Sequence, residues 1–287
     1  MEKVLFIVDS TVDLTSEMYK ENNLYIVPPH VHIAGKEYDD DPKQLTTKRL
    51  YEIMDETKEF PKTGAATPSQ FMEAYKYAEK EGYDAVIFTG IGSTMSGTVQ
   101  NATMAKDDFK GKLKIYIVDS RNLSTGTGLL VMYGLDYVRA GHTAEETAKY
   151  METLVPRVRA QFIVHNLDII YRGGRISSAK YLFGKMLRAH PFIQVVNGVM
   201  QVSATPKGKY IKALDYQYNV FLQDKEKGIL EDHVFITHAI GDEHAEYYYD
   251  KMKDMFKKES LHVTPVGCVI GSHCGPGTIG ILYVMKE

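Results

Sequence analysis

The sequence predicts an α/β protein of two domains, and three observations carry that expectation. Across the first half, short apolar runs alternate with amphipathic ones, the pattern of a layered, mostly parallel sheet covered by helices. In the second half, Asn197-Gly198 lies between the runs 192–196 and 199–204, the strongest short hairpin signal, so this half has an antiparallel or mixed sheet. Between them, a helix opened by Thr143 and Glu146 at capping-box spacing ends before Pro156, which divides the chain into residues 1–155 and 156–287.

The elements follow in order. Residues 4–8 read as a strand, 14–21 as a helix, 25–33 as extended and 45–57 as a helix. Thr67, Pro68 and Gln70 stand at N-cap, first-turn and capping-box positions of a helix over 68–81 that Gly82 closes. Strands at 85–89 and 115–118 alternate with helices at 96–109 and 125–140, ahead of the Thr143 helix. Beyond Pro156 come a strand at 160–164, a short helix capped by Asn166, and a helix over 177–187. The hairpin is followed by a helix at 210–227, a strand at 234–238, a helix at 243–258, and strands at 263–269 and 278–284.

Composition narrows the function. With 287 residues and 44% hydrophobic content the chain can bury real cores. A formal charge of -3, with lysines dispersed among acids, argues against nucleic acid as a partner. The apolar run 4–8 is too short for a signal-peptide core and no later run reaches membrane-spanning length, so a cytoplasmic protein without an integral membrane segment is expected. In that compartment Cys268 and Cys274 are expected to be free thiols. With His262 and His273 they show no paired spacing of the structural-zinc kind, and no metal is assigned.

Three segments carry candidate chemistry. Ile270-Gly271-Ser272-His273-Cys274-Gly275-Pro276-Gly277 is so dense in breakers that it reads as a tight turn between two strands, holding an imidazole and bare N–H groups against something small. Gly90-Ile91-Gly92-Ser93-Thr94-Met95-Ser96-Gly97-Thr98 follows a buried-looking strand and opens a helix, the arrangement of an anion cradle. Thr63 lies just outside the Thr67 helix. The ordinary alternatives are loop capping for Thr63 and Ser93 and turn packing for His273. Nucleotide motifs fail, because the dinucleotide pattern wants glycine at Met95 and a P-loop from Gly92 wants lysine at Thr98. Ser93 and Ser96 lack the Gly-x-Ser-x-Gly elbow, so an acyl-ester hydrolase using Ser93 and His273 stands as an alternative with no orienting acid identified.

Six segments in order resemble the DegV family, whose members include the fatty-acid-binding subunits of bacterial fatty acid kinase. They are Asp9-Ser10-Thr11-Val12-Asp13-Leu14, Thr63 with its loop, Gly92 to Thr98, Val118-Asp119-Ser120, Arg172-Gly173-Gly174-Arg175-Ile176-Ser177, and Ile270 to Gly277. The chain departs from the family pattern at Gly64-Ala65-Ala66-Thr67, at Tyr171, at His190-Pro191 and at Lys207. The resemblance implies a DegV-like two-domain fold with its ligand at the domain interface. It further implies that Thr63, Ser93 and His273 hydrogen-bond the carboxylate of a long-chain fatty acid, helped by loop amides near Thr94.

On the same resemblance the chain has no catalytic residues and no cofactor beyond its bound fatty acid. It presents the carboxylate to a separate ATP-dependent fatty acid kinase subunit and carries the acyl phosphate. Arg172 and Arg175 then contact the partner or the phosphoryl group, their ordinary alternative being a solvated helix end. A lipid sensor without phosphoryl transfer is the third reading. Hydroxyl and imidazole donors suit the carrier, since they hold a carboxylate while leaving an oxygen open where a bidentate arginine would mask it. A sixteen-carbon chain gains about 11 kcal/mol gross at roughly 0.8 kcal/mol per buried methylene, against about 1.5–3 kcal/mol for each charged head-group hydrogen bond. Met95, Met132, Phe183 and Met186 are candidates for lining the tail, and Asp9, Ser10, Asp119 and Ser120, just past strand ends, read as capping groups.

Overall fold

The computed structural model describes residues 2–165, 167–176 and 189–287. The Asn166 cap, the 177–187 helix and the side chains of Phe183 and Met186 lie outside the described residues. The first half contains strands β1 (Val4–Asp9), β2 (Tyr25–Val27), β3 (His30–Ile33), β4 (Lys36–Asp39), β5 (Lys62–Gly64), β6 (Ala85–Gly90) and β7 (Lys114–Asp119). Its helices are α1 (Ser16–Glu21), α2 (Thr47–Thr57), α3 (Pro68–Lys80), α4 (Thr98–Asp108), α5 (Thr125–Arg139) and α6 (Ala144–Leu154). The second half holds β8 (Val158–Ile163), β9 (Phe192–Val196), β10 (Val199–Ala204), β11 (Ile229–His238), β12 (Leu261–Pro265) and β13 (Ile279–Met285). Helices α7 (Leu167–Arg172), α8 (Tyr210–Lys227), α9 (Asp242–Met252) and α10 (Cys268–Cys274) accompany them.

The protein is a two-domain α/β fold. Its N-terminal sheet, in the order β2-β1-β6-β7, is parallel throughout. Every residue of β6 is buried, and the period of two shows why: Ala85 and Ile87 enter one core with α5 and α6, while Val86 and Phe88 enter another with α3 and α4. Both expected capping boxes, Thr67 with Gln70 and Thr143 with Glu146, are formed.

The C-terminal sheet, in the order β10-β9-β8-β13-β11-β12, is mixed: β11 and β12 run parallel and its other strand pairs are antiparallel. At the hairpin tip Asn197 and Gly198 both take positive φ, 51° and 82°, as the Asn-Gly pair predicts. Helix α5 packs between the two sheets, which is why residues 125–135 are buried on every side and why Phe235, Leu282 and Val284 share a core with Phe6 and Val8.

Two local expectations are corrected. The segment 270–277 is not a turn between paired strands: α10 occupies Cys268–Cys274, and β12 and β13 lie on opposite sides of β11. The breakers cluster at the helix ends, with Gly267 before it and Gly275 at its C-cap with φ 78°, so only Gly271 is internal. There the absent Cβ leaves room for α2, since it would lie 2.8 Å from Thr47 Cγ2. Thr63 does not lie in a loop but in β5, opposite Val31, in a three-stranded antiparallel sheet β4-β3-β5. A three-residue Lys-Thr-Gly strand has no apolar period to reveal it, and pairing with β3 creates it. Both cysteines are free and buried, and among the described residues no helix is long and apolar enough to cross a membrane.

Candidate functional site

The loops that follow β1, β6 and β7 meet the C-terminal domain at the carboxyl edge of the parallel sheet, where open α/β sheets place their ligands. A cavity lies there, with about 970 Å³ of unfilled space including its mouth. The N-terminal domain lines it with Thr11, Pro29, Ile91, Met95 and Leu123. From the other domain come Phe162, Ile170, Met200, Val269, Ile270 and Leu282. The wall is therefore chiefly apolar and drawn from both domains. Met95, an expected tail contact, lines it, whereas Met132 is buried in the α5 core and does not.

Within this wall one group of polar side chains is paired across the two domains. Thr63 Oγ1 lies 2.8 Å from His273 Nε2, joining β5 to α10 across 210 residues of chain. Burial, with help from the nearby Arg175 guanidinium, pushes the imidazole from its usual 6.5 down to about 4, so it is neutral at physiological pH. Among the described residues His273 Nδ1 is buried without a hydrogen-bond partner, and the Cα of Gly173 packs against it so closely that a Cβ there would lie 2.3 Å away. The double glycine thus has a steric reason at Gly173. Arg175 also lines the cavity, where its Nη1 donates to Gly173 O at 2.6 Å and its Nε to Met95 O at 3.3 Å.

Ser93 and Thr94 are placed differently from this cluster. The Ser93 N–H and hydroxyl both donate to the Asp119 carboxylate, at 3.0 and 2.5 Å, and the Thr94 hydroxyl donates to Gly198 O at the tip of the β9–β10 hairpin. Neither is among the residues that line the cavity, and both hydroxyls are engaged elsewhere, Ser93 with the end of β7 and Thr94 with the hairpin of the other domain. Ser96 and Gly97 of that loop do reach the lining, with Ser96 Oγ 2.9 Å from Thr98 Oγ1. Ser93 has Asp119 as its partner and His273 has Thr63, so the serine–imidazole relay that ester hydrolysis requires is not formed between them.

Arg172 stays on the exposed corner, its guanidinium carbon 4.4 Å above the ring of Phe60. Asp9 caps the turn after β1 by accepting from the Thr11 N–H and hydroxyl, and it also accepts from the Ile91 N–H of the neighbouring loop at 3.0 Å. Sequence reasoning did not assign Ser96 to the site, and gave Arg175 a contact with the partner or the phosphoryl group rather than a place in the cavity wall. Ser96 shares the Ser93 run, and its proximity to the α4 start was the available signal. Among the described residues, no group of three His, Cys, Asp or Glu side chains is placed to hold a metal ion. A neutral imidazole, a hydroxyl and a guanidinium beside one apolar cavity suit a single carboxylate with a long apolar tail.

The profile of the DegV family, described as uncharacterised proteins, matches residues 3–286. A DegV domain-containing protein of Caldanaerobacter subterraneus subsp. tengcongensis is 29% identical over 289 residues, covering all of both chains. Among solved structures, a DegV family protein from Thermus thermophilus, reported for its fatty acid binding, aligns with TM-score 0.88 and 27% identity over 99% of this chain and 100% of its own. DegV from Bacillus subtilis, described as a fatty acid binding protein, aligns with TM-score 0.88 and 26% identity over 100% of both chains.

Proposed function

The chain belongs to the DegV family, and from that premise we propose that it is a carrier that buries a long-chain fatty acid between domains 1–155 and 156–287. The observation that carries this reading is the Thr63–His273 pair set into a chiefly apolar interdomain cavity. The relatives described as fatty acid binding proteins support it. In this reading Thr63 and His273, with Arg175 beside them, hold the carboxylate, while Ser93 and Thr94 keep the 90–98 loop in shape. A separate ATP-dependent fatty acid kinase subunit phosphorylates the exposed oxygen in the cytoplasm, and Arg172 on the outer corner meets that partner or the transferred phosphoryl group.

Native mass spectrometry of the purified protein, followed by denaturing lipid extraction, tests the carrier. One fatty acid per chain is expected, since the tail contributes far more than any head-group bond. Ligand-free protein that also refuses added fatty acids would sink it. Adding a kinase subunit and ATP then separates a carrier, which yields acyl phosphate, from a lipid sensor. Ester turnover by the protein alone would favour the hydrolase.

A further inference from the structure

We propose that Asp40, together with Asp13, is a positioning residue for His273: these buried carboxylates of one domain hold the first turn of α10 in the other, and so set the imidazole against Thr63. The inference rests on the head-group role given to His273 above. Asp40 follows β4 and is 5% exposed. Its Oδ1 accepts from the N–H groups of Cys268 and Val269, at 2.7 and 3.2 Å, and its Oδ2 accepts from the Ser10 hydroxyl at 2.7 Å. Asp13 Oδ1 accepts from the Gly267 N–H at 2.8 Å, and its Oδ2 from the Ser124 hydroxyl at 2.5 Å. Three consecutive backbone donors, at residues 267, 268 and 269, are thereby claimed by carboxylates from more than 220 residues away in sequence.

A seven-residue helix cannot hold its own orientation, so its anchors decide where its side chains stand. Besides these carboxylates, α10 is tied by the Tyr51 hydroxyl, which donates to Gly271 O at 3.0 Å. The chemistry also explains why a carboxylate suits this position. All three of its contacts are donors, and a carboxylate offers several acceptor sites with no competing N–H. Among the described residues no lysine, arginine or histidine forms an ion pair with Asp9, Asp13 or Asp40. Their burial beside one another is unfavourable for the folded state and raises all three carboxyls, which sets the cluster apart from ordinary surface capping.

The test compares Asp40→Ala with Asp40→Asn. The asparagine can keep its oxygen on the two amides while Ser10 turns to accept from its nitrogen. Two readouts are taken on the full chain: the ring signals of His273 by NMR of histidine-labelled, lipid-free protein, and the affinities for palmitate and for hexadecanol. Asp40→Ala should move the His273 ring signals and reduce the preference for palmitate over hexadecanol by about tenfold, with hexadecanol affinity itself changed less than about threefold. Asp40→Asn should keep both readouts near those of the parent. Unmoved ring signals and an intact preference in folded Asp40→Ala would overturn the proposal, as would an equal loss of both ligands. If the alanine variant does not fold, Asp40→Ser, which can accept from one amide, is judged by the same criteria. A parent protein without any preference for the acid would count against the head-group reading, and the ring signals alone would then decide the role of Asp40.

Discussion

Residues 90–98 and 267–277 are written in the same small, glycine-rich, hydroxyl-bearing vocabulary, yet the fold uses them in opposite ways. The first is a loop whose Ser93 and Thr94 are consumed by Asp119 and Gly198. The second is a helix whose His273 reaches the cavity and meets a hydroxyl from a distant strand. A hydroxyl or imidazole in a sequence advertises hydrogen-bonding capacity, and only the fold shows whether that capacity is already used.

The comparison breaks most clearly at His273. His273→Ala should weaken fatty acid binding by about tenfold to a hundredfold, the range for a hydrogen bond to a charged group, with a smaller loss for Thr63→Val. Calorimetric titration with palmitate, alongside thermal unfolding, measures it. Next in size is Gly173→Ala. The backbone there can accept a side chain, but a Cβ 2.3 Å from His273 Nδ1 forces the ring away from Thr63, so about a tenfold loss is expected in the same titration. Parental affinity would show that the imidazole position is not what the site reads.

The pH dependence of stability should separate two kinds of buried titratable group. His262 and His273 are both pushed down to about 4, so between 6.5 and 4 the unfolded chain binds protons that the folded one refuses, and both residues make unfolding free energy rise with pH there. Asp9 is raised from 3.8 to about 6 by burial, so the folded chain keeps a proton the unfolded one has released, and its contribution falls as pH rises through that interval. His273→Gln should therefore lower the slope of stability against pH between 4 and 6.5, and Asp9→Asn should raise it. Urea unfolding at four pH values reads both, and identical slopes in all three proteins would contradict the assignments. The smallest effect is expected from Ser93→Ala: a change of less than about threefold in affinity, with roughly 1 kcal/mol lost in stability as Asp119 loses its hydroxyl partner. A loss as large as that of His273→Ala would put Ser93 on the ligand and erase the contrast between the two segments.

What the sequence determined by itself was the part of the fold written in local terms. The buried run of β6, the caps at Thr67 and Thr143 and the Asn197-Gly198 turn depend on residue spacing and backbone preference, and each formed as read. The six ordered motifs likewise identified the family over nearly the whole chain. The tertiary structure alone decided that 268–274 is a helix, that Thr63 lies in a strand, that Arg175 faces the cavity and that Asp40 reaches α10. The physical reason is range. Periodicity and caps are settled within a few residues, whereas Thr63 finds His273 across 210 positions and Asp40 finds Cys268 across 228, and such partners exist only once the two domains have packed.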